Sequence, residues 1–392
     1  MTRKQMIVRI APMMVIPWIR STIGVILPGL IDSFGLTIAQ AGLVSIFLES
    51  GSVVGMLALG FVIDRIGATR VVSWGLPVMG LSLFAVTISP SFWALAPTLF
   101  SVGIGIALTA SGVNMLMAST GERRGFYLGV LHSSFSVFAI ITPLIAGVLL
   151  TTGSWQTYYL VVAVLAILVA VAFRLVGVKG QGNSPDAQYP TQSRRTPHED
   201  YRDNTRSTSS ALKSIAPVCL GVFALAGVQS IFITWSYLYM VTQYDLSHAL
   251  ATLAPSLLWV GILVMRGGAI TLSRRFSART ILLWSITCSL AVAVLEQMAG
   301  QAIVSLGAVV LLGMGVAGAF QLGTAWAADR IPHRIGTASS AIMASASLGI
   351  GVWPWLTAIA IEATDFSAMM YTAFVGLIAA GAIFALTPAT KP

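Results

Sequence analysis

The sequence predicts an all-α membrane protein, with twelve transmembrane helices arranged as two pseudo-symmetric six-helix bundles. Three observations lead there. Of 392 residues, 56% are hydrophobic and only 9% charged, with a mean hydropathy of +0.87, whereas a soluble domain carries roughly a quarter of its residues as charges. Twelve stretches supply the ~20 mostly apolar residues that a helical span requires. Basic residues recur in every second connection between those stretches, as they do on the cytoplasmic side of a membrane.

The stretches fall at roughly 8–31, 38–62, 71–90, 93–117, 126–150, 155–177, 214–242, 249–273, 280–300, 301–327, 335–361 and 368–389. The start, MTRKQMIVRIAPMMVIPWIR, has a basic beginning like a signal peptide. Its apolar region is long, lacks a small-residue cleavage pattern and precedes many more spans, so it reads as helix 1. EQMAGQ serves as the short turn dividing helix 9 from helix 10.

Charge supports the count. Arg3, Lys4 and Arg9 lie at the start, and basic residues follow in alternate loops: Arg65 and Arg70; Arg123 and Arg124; the 178–213 segment; Arg274, Arg275 and Arg279; Arg330 and Arg334; Lys391. The intervening connections carry Asp32, Asp245, Glu296, Glu362 and Asp365 without Lys or Arg. Both termini and the long middle loop are therefore expected in the cytoplasm, in a bacterial-type inner membrane. The same thin spread of basic residues explains the net charge of +9 without nucleic acid. Cys219 and Cys288 fall in different apolar runs, which suggests neither a disulfide framework nor a metal site. No cofactor is expected.

Residues 178–213 are polar, charged and proline-bearing, and read as a flexible cytoplasmic linker. The expected organisation is a six-helix bundle over 1–177, the linker, and a second bundle over 214–392. The bundles repeat one another. GFVIDRIGATR (60–70) aligns with AITLSRRFSAR (269–279) at an offset of 209; ERRG (122–125) aligns with HRIG (333–336) at 211; Pro143 and Pro354 are again 211 apart. Parallel repeats of this kind suggest alternating access around a site between the halves.

GFVIDRIGATR resembles the signature of the major facilitator superfamily in the loop between helices 2 and 3, with Gly60, Asp64, Arg65, Gly67 and Arg70 matching. The span count, long central loop and repeat extend the resemblance over the whole chain. LHSSFSVFAIITPLIAGVLL (131–150) and SGVNMLMAS (111–119) resemble the fucose-permease-like branch. The resemblance implies a secondary transporter in which these five residues form a cytoplasmic gate. Asp64 would be held by Arg70 and by the start of helix 11 when the carrier opens outward. A carboxylate at the C-terminal end of helix 2 needs such support, because the macrodipole disfavours it there. In the second half Ser273 replaces the aspartate and Phe276 the glycine, so the latch is expected to be one-sided. The arginine that many proton-coupled members carry early in helix 4 is missing from TLFSVGIGIALTASG.

Two basic residues escape the loop pattern, Arg20 in VIPWIRSTIG and Arg266 in WVGILVMRGGAI. A charge within a span costs at least ~2.5–3.5 kcal/mol, which makes each a functional candidate. Arg20 is a substrate-binding candidate, the anchor of an anionic solute, against a structural ion pair with Glu49, which lies at a comparable depth and is either that partner or a proton carrier for coupling. Arg266 either contacts substrate or snorkels to the headgroups. His132 is a second coupling candidate, against a helix–helix hydrogen-bonding role. Gln229, Trp235, Tyr239, Trp259 and Gln321 are further substrate-binding candidates; Asn114, Ser133, Ser136, Ser345 and Trp353 lie at plausible cavity depth. Aromatic and small polar residues also commonly pack between helices, the alternative for each.

No GxxxxGK[ST] loop, HExxH or GxSxG occurs, and no acid pair stands close in sequence at matched depth, so an enzyme is not expected. The expected partners are a small-molecule substrate, the lipid bilayer and protons as a coupling ion. Two in-span arginines against one deep acid favour a small organic anion, whose carboxylate or phosphate suits guanidinium geometry. The competing readings are a proton-coupled sugar symporter, efflux of amphipathic compounds, and a receptor-like protein without net flux.

Overall fold

Within a bilayer the backbone finds no water, so apolar runs must satisfy their own N–H and C=O groups as helices. The computed structural model describes residues 3–120, 124–176, 200–331 and 334–388, and these are helical almost throughout. Helix 1 comes in three pieces, Arg3–Val15, Pro17–Arg20 and Ile23–Phe34. Helices 2 to 6 are Ile38–Ile66, Ala68–Thr87, Phe92–Ala118, Arg124–Thr152 and Trp155–Leu175. Helix 7 is Asp200–Tyr244; helix 8 is His248–Ala251 with Leu253–Leu272; helix 9 is Ala278–Ala299. Helix 10 is Ala302–Val316 with Gly318–Arg330, helix 11 is Ile335–Ala363 and helix 12 is Ala368–Leu386. Among the described residues eleven helices are long and apolar enough to span, and helix 1, bent by 48°, makes the twelfth.

Local signals explain the boundaries. Ser91, Ser154 and Ser277 each accept a backbone N–H three residues on, capping helices 4, 6 and 9. Gly300, at φ 58°, closes helix 9 in the left-handed conformation, so EQMAGQ does separate helices 9 and 10. Helix 7 differs from expectation: it starts at Asp200, inside the stretch read as linker. Residues 200–213 contain no Pro or Gly, so nothing stops a long helix propagating backwards through polar sequence. The rest of that linker, 177–199, lies outside the described residues.

The packing repeats with the sequence. Helix 3 packs on helix 6 as helix 9 packs on helix 12; helix 2 packs on helix 4 as helix 8 packs on helix 10. Between the halves, helix 2 crosses helix 11 and helix 8 crosses helix 5. A pseudo-twofold axis exchanges these two seams, since it carries helix 2 onto helix 8 and helix 5 onto helix 11. Helix 1 and helix 7 meet on the axis itself.

The two ends of the bundle differ. At the end away from the termini the halves touch closely. A Cβ on Gly24 of helix 1 would stand 2.5 Å from the Thr234 carbonyl oxygen of helix 7, and one on Gly42 of helix 2 would stand 2.7 Å from Ala358 Cβ of helix 11. Only glycine permits that approach. At the terminal end, Gly129 of helix 5 and Gly267 and Gly268 of helix 8 have no atom of another element within 4 Å of the same position. Among the described residues, the close contacts at glycines between the halves lie toward one end, the closed end, and none lies at the other, the parted end.

Candidate functional site

Two clusters with an arginine sit on the seams between the halves. The first starts from the break in helix 1. After Arg20 the helix stops at Ser21 and Thr22, and carbonyls at the break take side-chain donors: that of Trp18, and that of Pro17, which also keeps the Ser21 N–H. Neighbouring helices supply them. Tyr158 donates its hydroxyl to the Trp18 carbonyl at 2.7 Å, Thr22 donates to the same oxygen at 2.8 Å, and Thr142 donates to the Pro17 carbonyl at 3.3 Å. The bend is thus held by side chains from helices 5 and 6.

At that bend Arg20 donates from Nη2 to Glu49 Oε2 at 2.7 Å and to Ser52 Oγ at 3.1 Å. Glu49 is 2% exposed. Each stands seventeen residues from the terminal end of its helix, about 25 Å along the axis. The two in-span charges considered as partners are therefore paired in this conformation. The pair is not saturated: Glu49 Oε1 and Arg20 Nε make no hydrogen bond of ordinary length, although the Ser347 hydroxyl of helix 11 lies within reach of the Glu49 carboxylate. Glu49 also faces the other half, with a Cβ on Gly351 of helix 11 falling 3.1 Å from its own Cβ.

The second cluster lies across helices 5 and 8. Arg266 donates from Nη1 to Ser136 Oγ at 2.7 Å and to the His132 carbonyl at 3.3 Å. Its guanidinium sits 5.9 Å from the centre of the Trp259 ring, a cation–π arrangement. Phe135 meets Trp259 edge-on at 5.5 Å. Among the described residues no carboxylate lies within ion-pair distance of Arg266. Arg266 Nε and Trp259 Nε1 are buried donors without partners. Arg266 is six residues from the terminal end of helix 8, about 9 Å from it. It is therefore nearer the parted end than Arg20 and Glu49.

The seams correspond residue for residue. Ser136 and Ser347 are 211 apart, the spacing of Pro143 and Pro354. Ser136 meets Arg266; Ser347 reaches Met56 Sδ at 4.0 Å. Met56 and Arg266 are 210 apart. The same serine-bearing crossing thus holds a methionine in the first half and an arginine in the second.

Other candidates separate from these clusters. Trp235 is fully buried and donates its indole N–H to the Pro354 carbonyl at 2.9 Å. In this conformation helix 7 turns it into helix 11, apart from Tyr239. Tyr239 donates instead to Glu296 Oε1 at 3.1 Å. Gln229 is half-buried on helix 7 and Gln321 is exposed on helix 10. Asn114 donates to its own helix at the Ala110 carbonyl. Trp353 is packed against Gly227. Of the gate residues, the side chains of Gly60, Asp64 and Arg65 lie outside the described set, while Arg70 is exposed. Gly67 has φ 80° and ψ 153°, a backbone region that is essentially glycine's alone.

The sequence reading missed one buried acid. Glu296, assigned to a connection, is 2% exposed within the last turn of helix 9. Tyr239, Tyr244 and Ser305 all donate to its Oε1, and Gln297 donates to Oε2. The donors to Oε1 come from helices 7 and 10, so sequence proximity to a turn hid it. Ser52 and Phe135 were also missed; both look like ordinary apolar-helix residues until the partner helix is known.

The sequence profile of the Major Facilitator Superfamily matches residues 13–354. The chain belongs to that superfamily, and it is a transporter by family. The glucose/mannose transporter GlcP of Bacillus subtilis (strain 168) is 21% identical over 326 residues, covering 83% of this chain and 80% of that protein. The hexuronate transporter of the same organism is 23% identical over 308 residues, covering 76% and 72%. Among solved structures, a bacterial homolog of the human lysosomal transporter Spinster, inward-facing and unoccupied, superposes with a TM-score of 0.74 at 15% identity over 98% of this chain and 96% of that one.

Proposed function

We propose that the protein carries a small organic anion across the inner membrane by alternating access, with Arg266 as the anchor for its negative group. The observation that carries this is the asymmetry of the two seams. Met56 fills the place of Arg266 in the other half, so packing alone does not call for a cation there. A guanidinium without a carboxylate, beside a second unpartnered donor on Trp259, is chemically suited to a carboxylate or phosphate. The similarity to a hexuronate transporter agrees with this reading. With both termini in the cytoplasm, the parted end faces inward and Arg266 stands near the inner vestibule.

The test is uptake into proteoliposomes together with thermal shift of the purified protein. Organic acids, a hexuronate among them, are expected to raise the melting temperature, and glucose is not. Arg266→Gln is expected to lose both the shift and the uptake. Undiminished anion transport by Arg266→Gln would overturn the assignment.

A second reading has its own support, a proton-coupled sugar symporter. Glu49 is a deep carboxylate with one oxygen that makes no hydrogen bond of ordinary length, next to an arginine that could release it, and GlcP is a sugar-carrying relative. This reading predicts glucose uptake driven by a pH gradient and abolished in Glu49→Gln.

A further inference from the structure

Glu362 is an oddity in the sequence. It is the penultimate residue of helix 11, and a carboxylate at a helix C-terminus is opposed by the macrodipole. The structure shows what it faces. Glu362 Oε2 accepts the backbone N–H of Ala39, in the first turn of helix 2, at 2.6 Å. Helix 2 belongs to the other half of the molecule. Its start is already a capping box: the Thr37 N–H donates to Gln40 Oε1 at 3.0 Å, and the Gln40 N–H donates to Thr37 Oγ1 at 3.3 Å. Local residues thus satisfy the donors on either side and leave Ala39 to a carboxylate from across the interface. One turn further in lies the close approach of Gly42 to Ala358 and Trp355.

We propose that Glu362 is a latch for the closed end. Its charge binds the positive end of helix 2 only while the halves meet there, and it stabilises the conformation in which the terminal end is open. When the closed end parts, Glu362 is left at the unfavourable end of its own helix, and Ala39 loses its acceptor to water. The latch therefore biases the equilibrium between the two access states without touching substrate. It is independent of which solute is carried.

The test measures access to the closed interface. Ser45 of helix 2 is buried, and its carbonyl oxygen lies 3.5 Å from the Cβ position of Gly351 in helix 11. Ser45→Cys, in a background with Cys219 and Cys288 replaced by serine, is labelled with a membrane-impermeant maleimide applied from the side away from the termini. Glu362→Ala is expected to raise the labelling rate about fivefold, the worth of one solvent-exposed hydrogen bond. Glu362→Gln, which keeps an acceptor but not the charge, is expected to fall between. Asp365→Asn is the control: Asp365 is exposed and accepts the backbone N–H of Ser367 in its own turn, so its labelling should match wild type. Melting temperatures accompany each variant. Wild-type labelling in Glu362→Gln and Glu362→Ala overturns the latch, and a lowered melting temperature with unchanged labelling reduces Glu362 to a helix cap. If Glu362→Ala does not fold, the near-isosteric Glu362→Gln decides alone.

Discussion

Where helix 11 crosses helix 2, Ser347 meets Met56; where helix 5 crosses helix 8, Ser136 meets Arg266. The crossings are copies of one another, related by duplication and by the pseudo-twofold axis. Charge is arranged differently around each. On the first seam the acid Glu49 is buried and already neutralised by Arg20. On the second an arginine stands over an indole with only hydroxyl and carbonyl oxygens for company. Duplication makes each half a control for the other: what both halves share is what the packing needs, and what differs is free to serve the solute. The first seam holds a charge that is internally balanced, and the second holds one that an incoming anion would balance.

The largest expected effect breaks the second seam. Arg266→Met installs the residue found at the equivalent place in the first half. The fold should survive, with a melting temperature close to wild type, while anion uptake falls about 100-fold or more through loss of a charged contact. A carrier that keeps its uptake would show the two seams to be equivalent in function as well as in packing.

Breaking the first seam should instead cost stability. Glu49→Ala leaves Arg20, a partly buried cation, without its counter-charge, destabilising the protein by about 3 kcal/mol. Replacing both residues by methionine should recover most of that loss. A double-mutant cycle in a denaturation assay measures the coupling, and a cycle energy near zero would mean the pair contributes nothing to the fold.

Smaller changes sharpen the contrast. The backbone at Gly67, the N-cap of helix 3, admits only glycine without strain, whereas the N-cap of helix 9, 210 residues on, is Ser277 in ordinary extended backbone, so Gly67→Ala should cost about 1–2 kcal/mol. The matching measurement is thermal unfolding of Gly67→Ala beside Ser277→Gly, which should be the milder of the two. Smallest is Ser136→Ala. It removes one of two hydrogen bonds that orient Arg266, and it should weaken anion affinity about fivefold. Ser347→Ala, at the mirror position, should leave that affinity unchanged. Titration of anion binding by calorimetry compares the two serines directly.

The sequence by itself determined the class of protein and its all-helical, many-span architecture. The physical reason is that a bilayer leaves an apolar run few alternatives: it must be helical, it must be about as long as the membrane is thick, and its flanking charges must alternate. Glycine and serine at helix ends then placed boundaries such as Gly300 and Ser277 within a few residues. Periodicity could also single out Arg20, Glu49 and Arg266 as charges in the wrong medium. It could not say which of them are partners, because a helix shows its neighbours only once bundled. Tertiary structure decided that Arg20 takes Glu49, that Arg266 takes only neutral oxygens among the described residues, and that Trp235 turns into helix 11. It also moved Glu296 from a connection into a buried cage of hydroxyls, and it gave Glu362 a helix start to hold. Each of these depends on donors and acceptors brought together from helices far apart in the chain. Long-range pairing of that kind leaves no period and no motif in the sequence.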